Sequence, residues 1–346
     1  MKSVSKKYSV LLIAALSLIS SASARAQDQL LPVTVELGDV SLTKVPFIVA
    51  ADAGIYERNG LKVDQFITPA AAAAVREAGV SVPSQYIRSG IVGQINIGGG
   101  SPTLVRMTTV ATAPHRIILA TTDDVSRYHI ISRPDITSID QLKGRRFGYG
   151  NFGALGHYSL MLFFQKVGWD PVRDVSMFTG GGEPSAITKG YVDAMAATDV
   201  TLDQAKQEGI RDLIDLSQYH FPMPGSGVNA LSDWLPKNRE TAARFIKATV
   251  EAIAVVKTDK KTALASITKW FGITDPAKLD SVYADARLLP SKPYPSIEGL
   301  KAMQSVYKWR EMEIRTPEDF SDSSFVADLD KSGFIDGLYK DKTTPQ

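Results

Sequence analysis

The sequence predicts an α/β protein built as two domains. Three observations point there. Short apolar strands alternate with amphipathic helices along most of the chain, the pattern of layered α/β architecture. About 320 residues follow an N-terminal leader, enough for two cores. Finally, Gly90-Ile91-Val92 ahead of one glycine turn faintly echoes Gly190-Tyr191-Val192 further on, as if two similar units followed one another.

The leader itself reads as an export signal. Lys2, Lys6 and Lys7 form a basic start, Val10 to Ile19 is an apolar run interrupted by Ser17, and Ala24-Arg25-Ala26 suits cleavage before Gln27. About ten apolar residues are too few to span a bilayer. Removing residues 1–26 takes away Lys2, Lys6, Lys7 and Arg25 and no acidic residue, which moves the formal charge from +2 to −2. Such a chain, lacking basic runs, is a poor partner for nucleic acid. With no cysteine there is no disulfide, thiolate metal site or lipid-modified N-terminal cysteine. The expected address is the periplasm.

Leu31 to Leu37 alternates apolar and polar residues as a first strand, and Gly38 to Lys44 is a polar loop. Pro46 suits the first turn of the next helix, whose apolar face holds Phe47, Ile48, Ala50, Ala51 and Ile55. Leu61 to Ile67 is a second strand, and the alanine-rich stretch from 70 favours a helix. Ile95 to Ile97 runs into Gly98-Gly99-Gly100, where Ser101-Pro102 opens a helix. Arg116 to Thr122 is an apolar strand suited to leaving the first domain, with Tyr128 to Ser132 entering the second. Ile139 to Leu142 is a short helix.

The stretch from Gln141 to Leu162 then reads as strand, glycine loop and helix. The helical spacing runs from His157 and Tyr158 to Phe164. Val175 to Phe178, a strand through Ala194-Met195 ending at Thr198-Asp199, a helix over 202–208 and a strand over 213–216 continue the alternation. FPMPGSG (221–227) reads as a crossing segment rather than a core element. Helices follow from Pro236, over 263–271, over 277–286 and, after SKPYPS (291–296), over 297–312. A disordered tail is expected at 343–346.

No constellation for catalysis is evident. His115, His129, His157 and His220 lie far apart, without zinc spacing, a nucleophile elbow or a Walker loop. His157 differs from the others by following a glycine loop whose backbone N–H groups suit a polar or anionic ligand atom. Asp199 falls at a strand's C-terminal edge, where it either meets ligand or caps the next helix. Lys44 precedes Pro46 and could reach an anion. Tyr149, Phe152 and Tyr158 are candidate cleft walls, and Tyr158 fits the core equally well.

These residues together resemble the substrate-binding proteins of nitrate/sulfonate/taurine-type ABC importers, a group with thiamine-pyrimidine-type members. The resemblance runs through VPFIVAADAGIYERNGLKV, GGGSP, SIDQLKGRRFGYG, GHYSLMLFFQKVGWDPVRDV, GYVDAMAATD and WLPKNRETAARFIKATVEA. It implies a two-domain type II periplasmic-binding fold with two crossing strands and a cleft between the domains. The first domain would comprise 27–121 and 225–342 and the second 122–224. It further implies a non-catalytic, monomeric receptor without a cofactor, its partners a small organic molecule and an inner-membrane permease.

The cleft implied is lined by Ser41, Leu42, Thr43 and Lys44, by Gly99, Gly100 and Ser101, and by Thr121 and Thr122. Asn151, Phe152, Gly153, Ala154, His157, Thr198 and Asp199 complete it. Backbone N–H groups of 99–101 and 153–154 would hold the ligand's polar end. Two departures stand out. Many relatives carry one or two hydroxyl residues just after the loop glycine, where this chain has Gly153-Ala154-Leu155, which turns the expected ligand away from a simple oxyanion. Gly93 also replaces an aspartate that relatives carry after the early Gly-x-Val. Two other roles fit the same residues, an enzyme using His157 as general base and a receptor feeding a signalling partner.

Overall fold

The computed structural model describes residues 30–38, 41–77 and 82–340, without the side chains of Leu42, Ala74, Val75, Glu77, Asp199, Val200 and Asp203. The export signal read over 1–26 and the tail at 343–346 lie outside the described residues.

Ten strands form two five-stranded sheets. β1 (Leu31–Leu37), β2 (Leu61–Ile67), β3 (Ile95–Gly99), β4 (Arg116–Thr121) and β10 (Ser226–Leu231) make the first, in the order β2-β1-β3-β10-β4. The second holds β5 (His129–Ser132), β6 (Arg146–Tyr149), β7 (Ser176–Thr179), β8 (Ala194–Ala197) and β9 (Arg211–Asp215), in the order β7-β6-β8-β5-β9. Each sheet has three parallel strands, then an antiparallel one, then an edge strand antiparallel to that. In each, the antiparallel strand is the one that follows a crossing. The echo of Gly90-Ile91-Val92 in Gly190-Tyr191-Val192 falls at equivalent places, before β3 and before β8.

The two crossing segments run side by side. Ser126 N donates to the Phe221 carbonyl at 2.9 Å and Met223 N to the Asp124 carbonyl at 2.8 Å, around a Val125–Pro222 bridge. The fold is therefore the expected two-domain α/β arrangement with two crossings.

Helix α1 (Val45–Asp52) carries Pro46 in its first turn, as its missing N–H and fixed φ allow. Helices α2 (Gly100–Thr109), α3 (Leu155–Val167) and α4 (Asp199–Gln207) each leave a strand end. The long α5 (Arg239–Thr258) packs Phe245, Ile246, Val250 and Ile253 against the first sheet. After α6 (Ile297–Val306) the chain breaks before α7 (Arg310–Glu313).

Two readings of the sequence are corrected here. FPMPGSG does not stay a crossing loop: Ser226 begins β10, which lies buried between β3 and β4. Its residues Ser226-Gly227-Val228-Asn229-Ala230 carry little apolar signal, and Asn229 is accommodated by donating to the Asn96 and Gly98 carbonyls at 3.2 and 3.1 Å. The helix expected over 297–312 is interrupted at Tyr307-Lys308-Trp309.

The Gly93 departure also has a physical reason. A Cβ there would stand 2.7 Å from both Glu36 Cβ and the Ile95 carbonyl. The carboxylate comes instead from β1, where Glu36 accepts from Gly93 N at 3.2 Å beside Arg116, which donates to the Gly93 carbonyl at 2.8 Å. At the equivalent turn of the second sheet Asp193 takes that part. It accepts from Arg146 N and Arg146 Nε at 3.0 and 2.9 Å, tying β6 to β8.

These bonds hold the Asp193 carboxyl down at about 2, below the usual carboxylate range. The contribution is therefore complete above the unfolded value near 4 and is lost as pH falls through about 2. Asp193→Asn is expected to cost about 2 kcal/mol at pH 7, limited by the solvent around the guanidinium, and far less at pH 2. Urea unfolding at the two pH values checks this; equal losses would contradict it.

Candidate functional site

A cavity of about 180 Å³ opens at the C-terminal ends of β6 and β8. Its walls are Tyr128, Gly148 to Gly150, Ala154, Gly156, His157, Gly182, Ala196, Thr198 and Thr201. This is the edge at which α/β sheets present ligand sites. Ala154 is the N-cap of α3 and its methyl offers no acceptor to the first turn, which leaves N–H groups at the cavity wall unsatisfied by the cap. Thr198 and Thr201 face them across the cavity in a capping box. Thr198 N donates to Thr201 Oγ1 at 2.7 Å, and Thr201 Oγ1 donates back to the Thr198 carbonyl at 2.9 Å.

His157 is the most constrained group. It is buried, with Tyr149 and Phe152 packed on its ring at centroid distances of 4.6 and 4.7 Å. Tyr307 lies parallel to it, its hydroxyl 2.8 Å from Nδ1, and Gly153 N–H also reaches Nδ1 at 3.4 Å. Burial alone pushes the imidazole down to about 4, so it is neutral at physiological pH. Tyr307 itself is pushed up by burial. Trp309 packs against it in a tilted pair at 5.2 Å and meets the exposed Phe152 at 6.4 Å.

Gly153 forms the joint between the lobes. Its φ of +78° favours glycine, and a Cβ would stand 2.6 Å from a Val105 methyl on α2. Its carbonyl accepts from Ser101 Oγ at 2.8 Å.

Twelve of the sixteen residues named from the sequence fall into two groups. Ala154, His157 and Thr198 line the cavity, with Gly99, Ser101 and Gly153 packed behind it. A second group gathers around Ser226. Thr43 Oγ1 and the buried Lys44 Nζ donate to Ser226 Oγ at 3.1 and 3.0 Å, and Ser41 Oγ lies 3.0 Å from Thr43 Oγ1. Thr122 N and Oγ1 donate to the Ser226 carbonyl at 2.7 and 3.1 Å. Thr121 accepts from Ser296 N at 3.4 Å. Leu42 joins this loop through its backbone, in a short helical turn with Thr43 and Lys44. Gly100 N connects the groups by donating to the Gly225 carbonyl at 2.7 Å. Asn151 and Phe152 are exposed. Asp199 is the first residue of α4, and its side chain lies outside the described residues.

Several expectations change. Gly100, Gly153 and Ala154 do not present free N–H groups, since these donate to Gly225, His157 and Asn151 respectively. The cap of α4 is Thr198, not Asp199. Of the two places open to Tyr158, the structure gives the core, where it is wholly buried. Tyr307, Trp309, Tyr128, Thr201 and Ser226 were not read as site residues. Tyr307 and Trp309 were hidden by the helix expected to run through them, and only their aromatic pairing hinted otherwise.

The comparisons with known proteins agree with this fold. The family model for NMT1/THI5-like proteins matches residues 43–263. No curated protein matches the sequence. Among solved structures, the periplasmic nitrate-binding protein NrtA from Synechocystis PCC 6803 shares the fold with a TM-score of 0.66 at 12% identity, over 88% of this chain and 89% of that one. The periplasmic aliphatic sulphonate binding protein SsuA from Escherichia coli does so with a TM-score of 0.58 at 18% identity, over 82% and 86%. The desulfurization enzyme DSZB also does, with a TM-score of 0.58 at 14% identity, over 87% and 99%. The resemblance to nitrate- and sulfonate-type binding proteins read from the sequence is thereby upheld.

The depressed imidazole fixes a pH dependence. The unfolded chain binds the proton near 6.5 and the folded one only near 4, so stability is full above 6.5 and falls between those values. The loss reaches about 3 kcal/mol by pH 4. His157→Gln should flatten the melting-temperature profile over that window relative to the unsubstituted protein. Parallel profiles would contradict the assignment.

Proposed function

The chain belongs to the NMT1/THI5-like family, and from that membership we propose that it is an exported solute receptor of an ABC importer. It binds one small organic molecule as the two domains close about their crossing segments, and it delivers that molecule to an inner-membrane permease. The observation that carries this reading is the cavity at the strand ends beside the joint between the lobes, walled by aromatic rings, hydroxyls and a helix N-terminus. The sheets support a first domain holding β1 to β4 with β10 and a second holding β5 to β9, hinged at the paired segments near Val125 and Pro222.

The volume, room for about six waters, suits a compact ligand. Its polar or anionic end meets the first turn of α3, and a flat or apolar body lies against Tyr149 and Tyr128. Ser41, Thr43, Lys44, Thr121 and Thr122, drawn together by Ser226, form the opposing wall on closure.

The receptor does no chemistry on its ligand. The group that an enzyme would need as base is His157, and an imidazole held near 4 by burial is a weak base at neutral pH. The fold itself does not decide the matter, because one neighbour is an enzyme.

A thermal-shift screen over sulfonates, carboxylates, aromatic acids and pyrimidines tests the proposal. A true ligand at about 100 times its Kd adds about 2.7 kcal/mol. The bound compound should be returned unaltered at one per chain. Turnover would overturn the receptor reading.

Gly153→Val places side-chain atoms where a single Cβ already meets Val105, so it should weaken binding at least tenfold while leaving the second sheet folded. Unchanged affinity in both Gly153→Val and His157→Ala would remove these residues from the site.

A further inference from the structure

His157 has one nitrogen engaged and one open. Two groups converge on Nδ1, the Tyr307 hydroxyl at 2.8 Å and the Gly153 backbone N–H at 3.4 Å. A backbone N–H can only donate, so the nitrogen it points to carries the lone pair and the Tyr307 hydroxyl donates there too. A neutral imidazole with its lone pair on Nδ1 holds its proton on Nε2. Nε2 has no partner among the described residues, and the side chain lines the cavity.

We propose that Tyr307 is a positioning residue that locks His157 in its Nε2–H form, so that the imidazole offers the cavity a hydrogen-bond donor and the pocket selects a molecule with an acceptor at that point. Tyr307 does this from outside the cavity. The break between α6 and α7 brings its ring parallel to the imidazole at 6.0 Å, with Trp309 behind it. Among the described residues the titratable groups packed on the imidazole are phenols, Tyr149 from β6 and Tyr307, with Tyr158 of α3 behind Tyr307, and no carboxylate among them competes for the Nε2 proton. That the donor serves a bound molecule rests on the receptor reading; the tautomer does not.

Nitrogen-resolved NMR of the ligand-free protein near pH 7 reads the tautomer directly, with His157→Gln identifying the resonances among the four histidines. The expected result is a protonated Nε2 and an unprotonated Nδ1. Tyr307→Phe keeps the ring and removes the donor, and the tautomer ratio should fall about five- to tenfold, the scale of one ordinary net hydrogen bond. His115, His129 and His220 should keep their signals. A protonated Nδ1 in the unsubstituted protein would overturn the proposal, without need of the variant. So would a ratio unchanged in a folded Tyr307→Phe. Failure of the receptor reading would show instead as turnover of a compound, with the tautomer unaffected.

Discussion

The contact between the Gly153 carbonyl and the Ser101 hydroxyl holds the rest of the site in register. One residue faces three ways. Its carbonyl meets the first lobe's α2 at Ser101, its N–H meets His157, and its α-carbon lies so close to Val105 that no side chain fits. A positive φ at this point turns the carbonyl toward α2 and the N–H toward the imidazole at once, which an L side chain could do only with strain. The joint between lobes and the orientation of the imidazole are thus consequences of the same dihedral angle.

The second sheet is fixed at one end and open at the other. At the N-terminal ends of β6 and β8, Asp193 binds the backbone and guanidinium of Arg146, and Arg133 approaches the same carboxylate at 3.4 Å. At the opposite ends of those strands lie Tyr149, Gly150 and Thr198 around the cavity. Charge is concentrated where the strands need anchoring. Neutral donors and acceptors stand where a ligand has to exchange water for protein contacts. This arrangement keeps the cavity adaptable in polarity while its frame stays rigid, since hydroxyl rotors can turn and the strand ends cannot.

Most of the fold was legible because strand–helix alternation is written in apolar spacing. β1 and β2 lie where alternation placed them, and the turn from GGG into α2 and the loop before α3 were both marked by glycine. β10 was not legible, because a strand buried on both faces can be built from Gly, Ala, Ser and Asn when its neighbours approach closely. Asn229 in particular reads as a loop residue and acts as a backbone substitute within the sheet.

The site was legible only as a neighbourhood. The loop before α3 was found by its glycines, and His157 by its place one turn later. The partner that fixes His157 comes from about 150 residues away, at a break in what sequence period alone reads as one helix. Apolar spacing continues through Val306 to Met312 because Tyr307 and Met312 are both buried, although the backbone between them is not helical. Periodicity reports which residues are buried, and it cannot report that tertiary contacts have pulled the chain out of its helix to bury them.

On a fold that hosts both receptors and an enzyme, the decisive quantity is what surrounds the one candidate base. A general base needs an accessible lone pair and a conjugate acid stabilised near neutral pH. His157 has neither. Its Nδ1 lone pair is already occupied by Tyr307 and Gly153, and no carboxylate among the described residues stands by to stabilise an imidazolium. Restoring base strength would require both freeing Nδ1 and bringing in a negative charge, against the burial that packs Tyr149 and Phe152 onto the ring. The same packing that spoils the residue for proton abstraction makes it a well-oriented, uncharged contact, which is what reversible binding and release of a small molecule call for.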